Sequence, residues 1–195
     1  MQLLVATQNK GKQQEISELL ALEDLELLFP QQVAAVVDLD VHENGTTFAE
    51  NAELKARAFA LRSGLLTVAE DSGLQVEALQ GEPGVASKRW HEVSDTDRNM
   101  ALLERLQKEQ NRTAKFVTTA CIFDPETNMS RLFVGEMNGA ISLQMAGSAG
   151  FGYDPIFVPS GDTKSLAELG VLVKNNISHR AVAFMKVRTY LETIV

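Results

Sequence analysis

Residues 67–74 have the sequence TVAEDSGL, in which an apolar run ends in two adjacent carboxylates, a hydroxyl and a glycine. Residues 66–69 are predicted to form a strand, and residues 74–76 could begin another. Glu70 and Asp71 would then lie at a strand end or turn, where open α/β sheets expose their functional groups. Carboxylate and hydroxyl oxygens suit Mg²⁺. A simple hairpin turn explains the same residues, because Asp, Ser and Gly are all common turn formers.

Composition and charge limit the class of protein. The chain has 195 residues, 45% of them hydrophobic and 23% charged, which suits one domain or one domain with two lobes. Its formal net charge of -8 argues against a general nucleic-acid-binding coat, which would need a basic face. The single cysteine allows no intrachain disulfide, and neither a signal peptide nor an apolar run of membrane-spanning length is found. A cytoplasmic protein that binds no nucleic-acid polymer and no membrane is therefore predicted.

The N-terminal segment predicts a strand, a polar loop and a helix in that order. Residues 3–6 are apolar, residues 7–12 have the sequence TQNKGK, and Ile16, Leu19 and Leu20 follow at helical spacing. Such a loop can direct backbone N–H groups at an anion, and its two lysines add positive charge. The segment does not contain the phosphate-loop pattern GxxxxGK[ST]. A solvated strand-to-helix connection explains the same residues.

Strands and helices alternate along the rest of the chain. Thr46 or Thr47 is predicted to cap a helix that ends at Gly64, and Glu50 would complete a capping box if Thr47 is the cap. Residues 113–123 have the composition of a strong strand, and residues 131–134 are predicted to return beside it as a hairpin. The pair Asn138-Gly139 is predicted to be a turn before another short strand.

A glycine-rich stretch at residues 147–155, GSAGFGYDP, is the second unusual segment. Its three glycines allow a ligand to approach the backbone closely. An aromatic ring such as that of Phe151 could stack on a base. The order of the glycines differs from the dinucleotide fingerprint GxGxxG. A tight loop with Phe151 buried is an equally good explanation.

The last predicted helix has an unusual start. Ser178 is expected to cap it, with Lys174, His179 and Arg180 close by in the sequence. Cations at a helix N-terminus oppose the helix dipole, so they do little for the stability of that helix. Their position favours an anionic or hydrogen-bonding partner there.

Six short motifs occur in one order along the chain. They are TQNKGK at 7–12, ENAELKA at 50–56, EDSGLQVEAL at 70–79, GEPGVASKRW at 81–90, GFGYDPIF at 150–157 and SHRAVA at 178–183. Through these motifs the chain resembles the inosine triphosphate pyrophosphatase family from its first strand to its last helix. It departs from that family at Glu70, Lys88 and Trp90, where aspartate, a small residue and tyrosine are usual.

The resemblance implies an α/β fold with a long central mixed β-sheet flanked by helices, and two lobes with an active-site cleft between them. Residues 1–195 would form a single two-lobed nucleoside triphosphate pyrophosphatase domain. The implied reaction is Mg²⁺-dependent hydrolysis of inosine, deoxyinosine or xanthosine triphosphate to the monophosphate and pyrophosphate. It would clear deaminated purines from the nucleotide pool. A homodimer is also implied.

The resemblance further implies roles for individual residues. Asp71 would be the catalytic carboxylate and a metal ligand, and Glu43 would be the second metal-binding acid. Phe151 would stack on the purine. The other predicted substrate-binding residues are Thr7, Gln8, Asn9, Lys10, Gly11, Lys12, Lys55, Ser72, Gly152, Tyr153, Asp154, Lys174, His179 and Arg180. If the acidic stretch is extended, Glu70 and Asp71 should diverge, because neighbours on a strand face opposite sides.

Other functions stay open at this point. A catalytically weak regulatory protein that binds nucleotides would keep the same pocket, although the presence of both Glu43 and Asp71 argues against it. A pyrophosphatase for other modified nucleotides would have a related cleft. A hydrogen-bond donor at the purine 6-oxygen would favour inosine and xanthosine over adenine, whose 6-amino group cannot accept that bond.

Overall fold

The computed structural model describes residues 1–90 and 94–194. In these ranges the β-strands are β1 (Gln2–Val5), β2 (Glu26–Leu28), β3 (Thr67–Val76), β4 (Thr113–Asp124), β5 (Met129–Ile141) and β6 (Phe157–Pro159). The α-helices there are α1 (Lys10–Leu19), α2 (Phe48–Ser63), α3 (Asp95–Arg105), α4 (Leu166–Ile177) and α5 (His179–Leu191). No helix of the described ranges is long and apolar enough to cross a membrane.

The strands form a mixed six-stranded sheet with the order β2-β1-β3-β4-β5-β6. β1 pairs in parallel with both β2 and β3, whereas β5 and β6 are antiparallel. Parallel neighbours need a crossover connection, and α1 supplies it between β1 and β2. The predicted α/β fold with a mixed sheet and flanking helices is confirmed.

The chain divides into two compact units. The first contains Met1–Asp71, Thr118–Gly135 and the C-terminal segment from Val182. The second contains Ser72–Val117 and Glu136–Ala181. The cleft expected between two lobes, and the single two-lobed domain expected for the whole chain, stay predictions.

The core of the first unit lies on both faces of its strands. Leu3 and Val68 belong to an apolar cluster that includes residues of α1 and α5. Leu4 and Ala69 belong to a second cluster that includes residues of α2. Since successive strand residues face opposite sides, this alternation along β3 predicts the side on which each following residue lies.

The core of the second unit anchors the glycine-rich stretch. Tyr153 and Phe157 lie in one apolar cluster with Leu102 of α3, Phe116 of β4 and Leu166 of α4. Tyr153 is only 4% exposed. Packing therefore fixes the stretch at Tyr153, within it, and at Phe157, just after it.

Two turns predicted from local sequence are wrong. β3 runs without a break through Glu70 and Asp71, and both acids are buried in the strand. β5 likewise runs through Asn138-Gly139. Gly139 pairs with Pro159 of β6, and a Cβ atom there would clash with the Phe157 ring. The glycine at this position therefore allows two strands to approach closely, and it makes no turn.

Side-chain caps set the helix boundaries. Thr47 caps α2 in a capping box with Glu50, and Gly64 ends the helix with a φ of 74°. The end at Gly64 was predicted correctly, and Thr47 is the cap of the two that the sequence left open. The loop predicted at residues 7–12 is shorter than expected, because Asn9 Oδ1 accepts the Lys12 N–H at 3.1 Å and starts α1 at residue 10.

Candidate active site

The two acids of β3 point to opposite faces of the strand. Lys12 Nζ on α1 pairs with Glu70 Oε1 at 2.9 Å. Asn51 Nδ2 on α2 donates to Asp71 Oδ2 at 3.0 Å. These partners continue the alternation of Val68 and Ala69, which face the α1 and α2 sides in turn. The prediction that Glu70 and Asp71 diverge is confirmed.

Asp71 is a buried carboxylate surrounded by charges. It is 8% exposed, and burial raises its pKa above the ordinary 3.8. The positive charge of Lys55, the hydrogen bond from Asn51 and the positive charge of Lys12 act against this rise, while Glu43 adds to it. A carboxylate with a raised pKa can take up a proton more readily than an ordinary aspartate, which suits a catalytic base.

The raised pKa of Asp71 predicts how stability depends on pH. The folded protein binds this proton more tightly than the unfolded chain, whose aspartates have a pKa of about 3.9. The stabilisation is therefore complete below that value and is lost as pH rises through the raised pKa. We expect metal-free Asp71→Asn protein to become progressively more stable than metal-free wild type as pH rises from about 4 through the raised pKa of Asp71.

Urea unfolding in the presence of a chelator measures this difference at each pH. Subtracting the wild-type curve from that of the variant removes the titration of groups that both proteins share. A difference that is flat with pH, or that changes in the opposite direction, would contradict a raised pKa for Asp71.

Asn51 connects Asp71 to the loop before α2. Its Oδ1 accepts the Gly45 N–H at 2.8 Å, while its Nδ2 donates to Asp71. Glu43 lies two residues before that glycine and pairs with Lys55 Nζ at 2.8 Å. This role of Asn51 was not predicted from the sequence. The available signal was its position beside Ala52 on the buried side of an amphipathic helix, where an amide needs a partner.

The donor set of the first unit fits a hard cation. Glu43 and Asp71 supply carboxylate oxygens, and Lys12 and Lys55 balance negative charge nearby. In residues 1–90 and 94–194, no group of three His, Cys, Asp or Glu side chains is placed to hold a metal. Mg²⁺ often binds through only one or two carboxylates, and waters and substrate phosphates complete its shell. Two acids are therefore a ligand set of the size that Mg²⁺ often uses.

The predicted phosphate-binding segment includes the start of a helix. Residues 7–9 precede α1, and residues 10–12 form its first turn. Lys10 is exposed, and Lys12 is half-buried beside Glu70. N–H groups and the positive end of the dipole at a helix N-terminus favour an anion, and the two lysines strengthen this preference.

Phe151 lies among cations in the second unit. Its ring is half-buried, with Lys174 Nζ 4.3 Å and Arg180 Cζ 5.7 Å from the ring centroid. The Arg180 guanidinium also donates to Ser72 Oγ at 3.1 Å. The partial exposure leaves an aromatic surface that could stack on a base, in contrast to the fully buried Phe151 that was the alternative.

Asp154 organises the loop that carries Phe151. Its Oδ2 accepts the Phe151 N–H at 2.8 Å and pairs with Lys174 Nζ at 2.5 Å. A Cβ atom at Gly150 would clash with the same carboxylate oxygen, so only glycine fits there. Asp154 and Lys174 are 3% and 2% exposed in their side chains, which makes them a buried ion pair.

Tyr153 and His179 are held by packing. Tyr153 donates its hydroxyl to Ser87 O at 2.9 Å, and burial raises the pKa of its phenol. The His179 ring stacks on Phe116, with centroids 4.6 Å apart and ring planes 9° apart. His179 is 4% exposed. These contacts fix both side chains in the fold.

The predicted site residues form two groups, one in each unit. The first unit holds Thr7, Gln8, Asn9, Lys10, Gly11, Lys12, Glu43, Lys55 and Asp71. The second unit holds Ser72, Phe151, Gly152, Tyr153, Asp154, Lys174, His179 and Arg180. The first group thus contains the two predicted metal-binding acids and a helix N-terminus, and the second contains the aromatic ring with its cations and Asp154.

Two residues of α3 that contact the glycine-rich loop were not predicted from the sequence. The Gly152 N–H donates to Asp95 Oδ2 at 2.7 Å, and Asn99 Nδ2 donates to Gly152 O at 2.9 Å. Asn99 lies on the same helix stripe as Leu102, at a spacing that predicts burial. A polar amide on an apolar stripe was the signal that could have identified it.

The fold and these two groups define an α/β protein with buried carboxylates held beside lysines and a glycine-rich loop that presents an aromatic ring. The model of the Ham1 family matches residues 3–190. The chain belongs to the Ham1 family.

Named relatives are similar over nearly the whole chain. The dITP/XTP pyrophosphatase of Deinococcus deserti is 46% identical over 183 residues, which cover 93% of this chain and 85% of the relative. The dITP/XTP pyrophosphatase of Aquifex aeolicus is 42% identical over 197 residues, which cover 95% and 94%. A solved HAM1 protein from Coxiella burnetii has a TM-score of 0.90 at 34% identity, with 99% of each chain covered.

Proposed function

We propose that this protein hydrolyses the non-canonical purine nucleoside triphosphates ITP, dITP and XTP to the monophosphate and pyrophosphate. Relatives that share more than 40% of its sequence are dITP/XTP pyrophosphatases by name. The observation that carries the proposal is the buried Asp71, which Asn51 holds beside the charges of Lys12 and Lys55. This is an arrangement suited to activating water beside a polyanion.

The reaction breaks the anhydride bond between the α- and β-phosphates and adds one water molecule. The triphosphate repels a nucleophile until its negative charge is neutralised. Lys10, Lys12 and the N–H groups at the start of α1 would supply part of that neutralisation, with Lys55 assisting. The Asp71 carboxylate would accept the proton of the attacking water.

Mg²⁺ is part of the proposal. Glu43 and Asp71 would hold the ion, because their carboxylate oxygens suit a hard cation. When bound, Mg²⁺ would neutralise phosphate charge and lower the pKa of a coordinated water. The burial that raises the pKa of Asp71 is consistent with a carboxylate placed for a cation.

The second group of residues would recognise the nucleoside. Phe151 would stack on the purine, and Lys174, His179 and Arg180 would border the base and ribose with Asp154. A donor at the 6-oxygen would favour hypoxanthine and xanthine over adenine. Ser72 would assist in holding the phosphates.

A homodimer and a cytoplasmic location complete the proposal. The resemblance to the inosine triphosphate pyrophosphatase family supports the homodimer. The cytoplasmic location follows from the proposed substrates, because free nucleoside triphosphates form a pool inside the cell.

Pyrophosphate release across a panel of nucleotides tests the proposed function. We expect Mg²⁺-dependent release from ITP, dITP and XTP at kcat/KM values at least about 10- to 100-fold above that for ATP. A buried donor left facing the adenine 6-amino group loses free energy of this order. The assay should measure the monophosphate together with pyrophosphate, because release of single phosphates would indicate a different bond.

GTP and the same panel with a chelator in place of Mg²⁺ are the controls. GTP shares the 6-oxo group, so its rejection would locate discrimination at the purine 2-position. Absence of pyrophosphate release from every triphosphate with Mg²⁺ would disprove the enzyme. Equal turnover of ATP and ITP would disprove the specificity.

A further inference from the structure

α3 holds the glycine-rich loop by both backbone groups of one residue. Gly152 donates its N–H to Asp95 Oδ2 at 2.7 Å and accepts a hydrogen bond from Asn99 Nδ2 at 2.9 Å. Asp95 and Asn99 are one helical turn apart on α3. The peptide groups on both sides of Gly152 are therefore fixed to the same helix face.

The hydrogen bonds to α3 matter because Gly152 has an unusual backbone conformation. Its φ of +63° lies in the left-handed region, and a Cβ atom built there meets no other atom within 4 Å. Glycine at this position is therefore required by conformation, because the space around it is open. The hydrogen bonds to α3 select one conformation of a residue that has many accessible ones.

Burying the polar side chain of Asn99 costs free energy, and the hydrogen bond to Gly152 is the contact that it gains. It is 1% exposed, and within the described part of the chain its Oδ1 accepts no hydrogen bond. A buried unsatisfied amide oxygen destabilises the folded state, and an apolar side chain on this stripe beside Leu102 would avoid that penalty. Asparagine at position 99 therefore provides the hydrogen bond to Gly152 but makes the folded state less stable than an apolar residue would.

Asp95 is itself held in place. Its Oδ1 pairs with Arg98 at 2.6 Å, and its Oδ2 accepts the Gly152 N–H. Arg98 is 8% exposed, so this pair is anchored on the buried side of the helix. The Asp95 side chain is half-exposed, whereas Asn99 is buried.

These contacts bear directly on Phe151. Asp154 accepts the Phe151 N–H at 2.8 Å, and the next residue is held by α3. The Phe151 backbone is thus fixed from both sides, and this fixes the point from which its ring reaches Lys174. Fixing the ring before a base arrives reduces the entropy lost when the base stacks on it.

We propose that Asn99, with Asp95, is a positioning residue that preorganises the Phe151 loop for recognition of the purine base. The inference rests on the proposed function, because it takes Phe151 as the residue that stacks on the base. Neither Asn99 nor Asp95 touches the substrate in this proposal. Their effect reaches the base through Gly152 and Phe151.

Binding of the two products tests the proposal by separating base from phosphate. Calorimetry with inosine monophosphate and, separately, pyrophosphate should show that Asn99→Ala weakens the monophosphate about 10-fold, the effect of losing one buried hydrogen bond. Affinity for pyrophosphate should stay within about twofold. Asn99→Asp keeps the size but turns the donor into an acceptor, so it should weaken inosine monophosphate more than Asn99→Ala.

A double-mutant cycle with Phe151→Ala identifies the route of the effect. If Asn99 acts through the ring, Asn99→Ala should change inosine monophosphate affinity less than about twofold in the Phe151→Ala background. Thr96→Ala, at an exposed residue of the same helix turn, is the matched control and should leave both affinities unchanged. Asn99→Asp supplies the isosteric variant if Asn99→Ala does not fold.

Three results would overturn the inference. They are unchanged inosine monophosphate affinity in both Asn99 variants, equal weakening of both products, and a full effect of Asn99→Ala in the Phe151→Ala background. Failure of the proposed function is distinguishable. In that case the wild-type protein would neither release pyrophosphate from ITP nor bind inosine monophosphate.

Discussion

Asp71→Asn should lower kcat for ITP by about 10³-fold, the size of a lost general base, while the protein stays folded. Asparagine has the shape of aspartate, and its carbonyl oxygen can still accept the hydrogen bond that Asn51 Nδ2 gives to Asp71 Oδ2. The amide can neither take a proton from water nor offer Mg²⁺ a negative charge. The effect should therefore fall on turnover and metal affinity while packing is retained.

Two substitutions separate this effect from a general loss of negative charge. Asp38→Asn removes an exposed carboxylate of the same compact unit and should leave kcat unchanged. Glu70→Gln should cost less than Asp71→Asn, because Glu70 faces α1 and is already paired with Lys12. Substantial remaining turnover in Asp71→Asn, or a larger loss in Glu70→Gln, would reject Asp71 as the catalytic carboxylate.

The opposite orientations of Glu70 and Asp71 could be predicted because strand periodicity is a local property. Once β3 is extended, Val68 and Ala69 already lie in different apolar clusters, and the two acids continue that alternation. The turn predicted at the same place was wrong because local turn preference was overridden by tertiary contacts. Lys12 and Asn51 satisfy the two acids from helices on either side of an unbroken strand.

Two of the residues that were not predicted from the sequence, Asn51 and Asn99, are buried asparagines. Asn51 bonds to a residue 20 positions away, and Asn99 to one 53 positions away. An amide on an apolar helix stripe indicates that a partner exists, but the stripe carries no information about which distant segment supplies it. The motif residues could be predicted because they match the motifs of a known family. The contacts that hold those residues in place could not be predicted, because the tertiary fold sets them.

The largest expected effect on stability lies at the buried pair Lys174–Asp154. Asp154→Ala leaves the Lys174 ammonium, 2% exposed, without its carboxylate at 2.5 Å, and also removes the acceptor of the Phe151 N–H. Breaking a buried pair from one side costs about 3–5 kcal/mol of unfolding free energy. We expect urea unfolding to show a loss of this size, accompanied by weaker binding of inosine monophosphate because the Phe151 loop is released.

An exposed pair of the same unit supplies the matched control. Lys115 and Glu136 are 2.9 Å apart, but their side chains are 38% and 44% exposed, so Glu136→Ala should cost less than about 1 kcal/mol. Asp154→Asn combined with Lys174→Met removes both charges and keeps an acceptor for the Phe151 N–H, so it should recover most of the stability that Asp154→Ala loses. If Asp154→Ala costs no more than Glu136→Ala, the pair does not stabilise the loop. The double substitution could recover stability but not inosine monophosphate affinity. In that case the loss of stability in Asp154→Ala comes from the unpaired buried charge, and the charges of the pair are needed to bind the base.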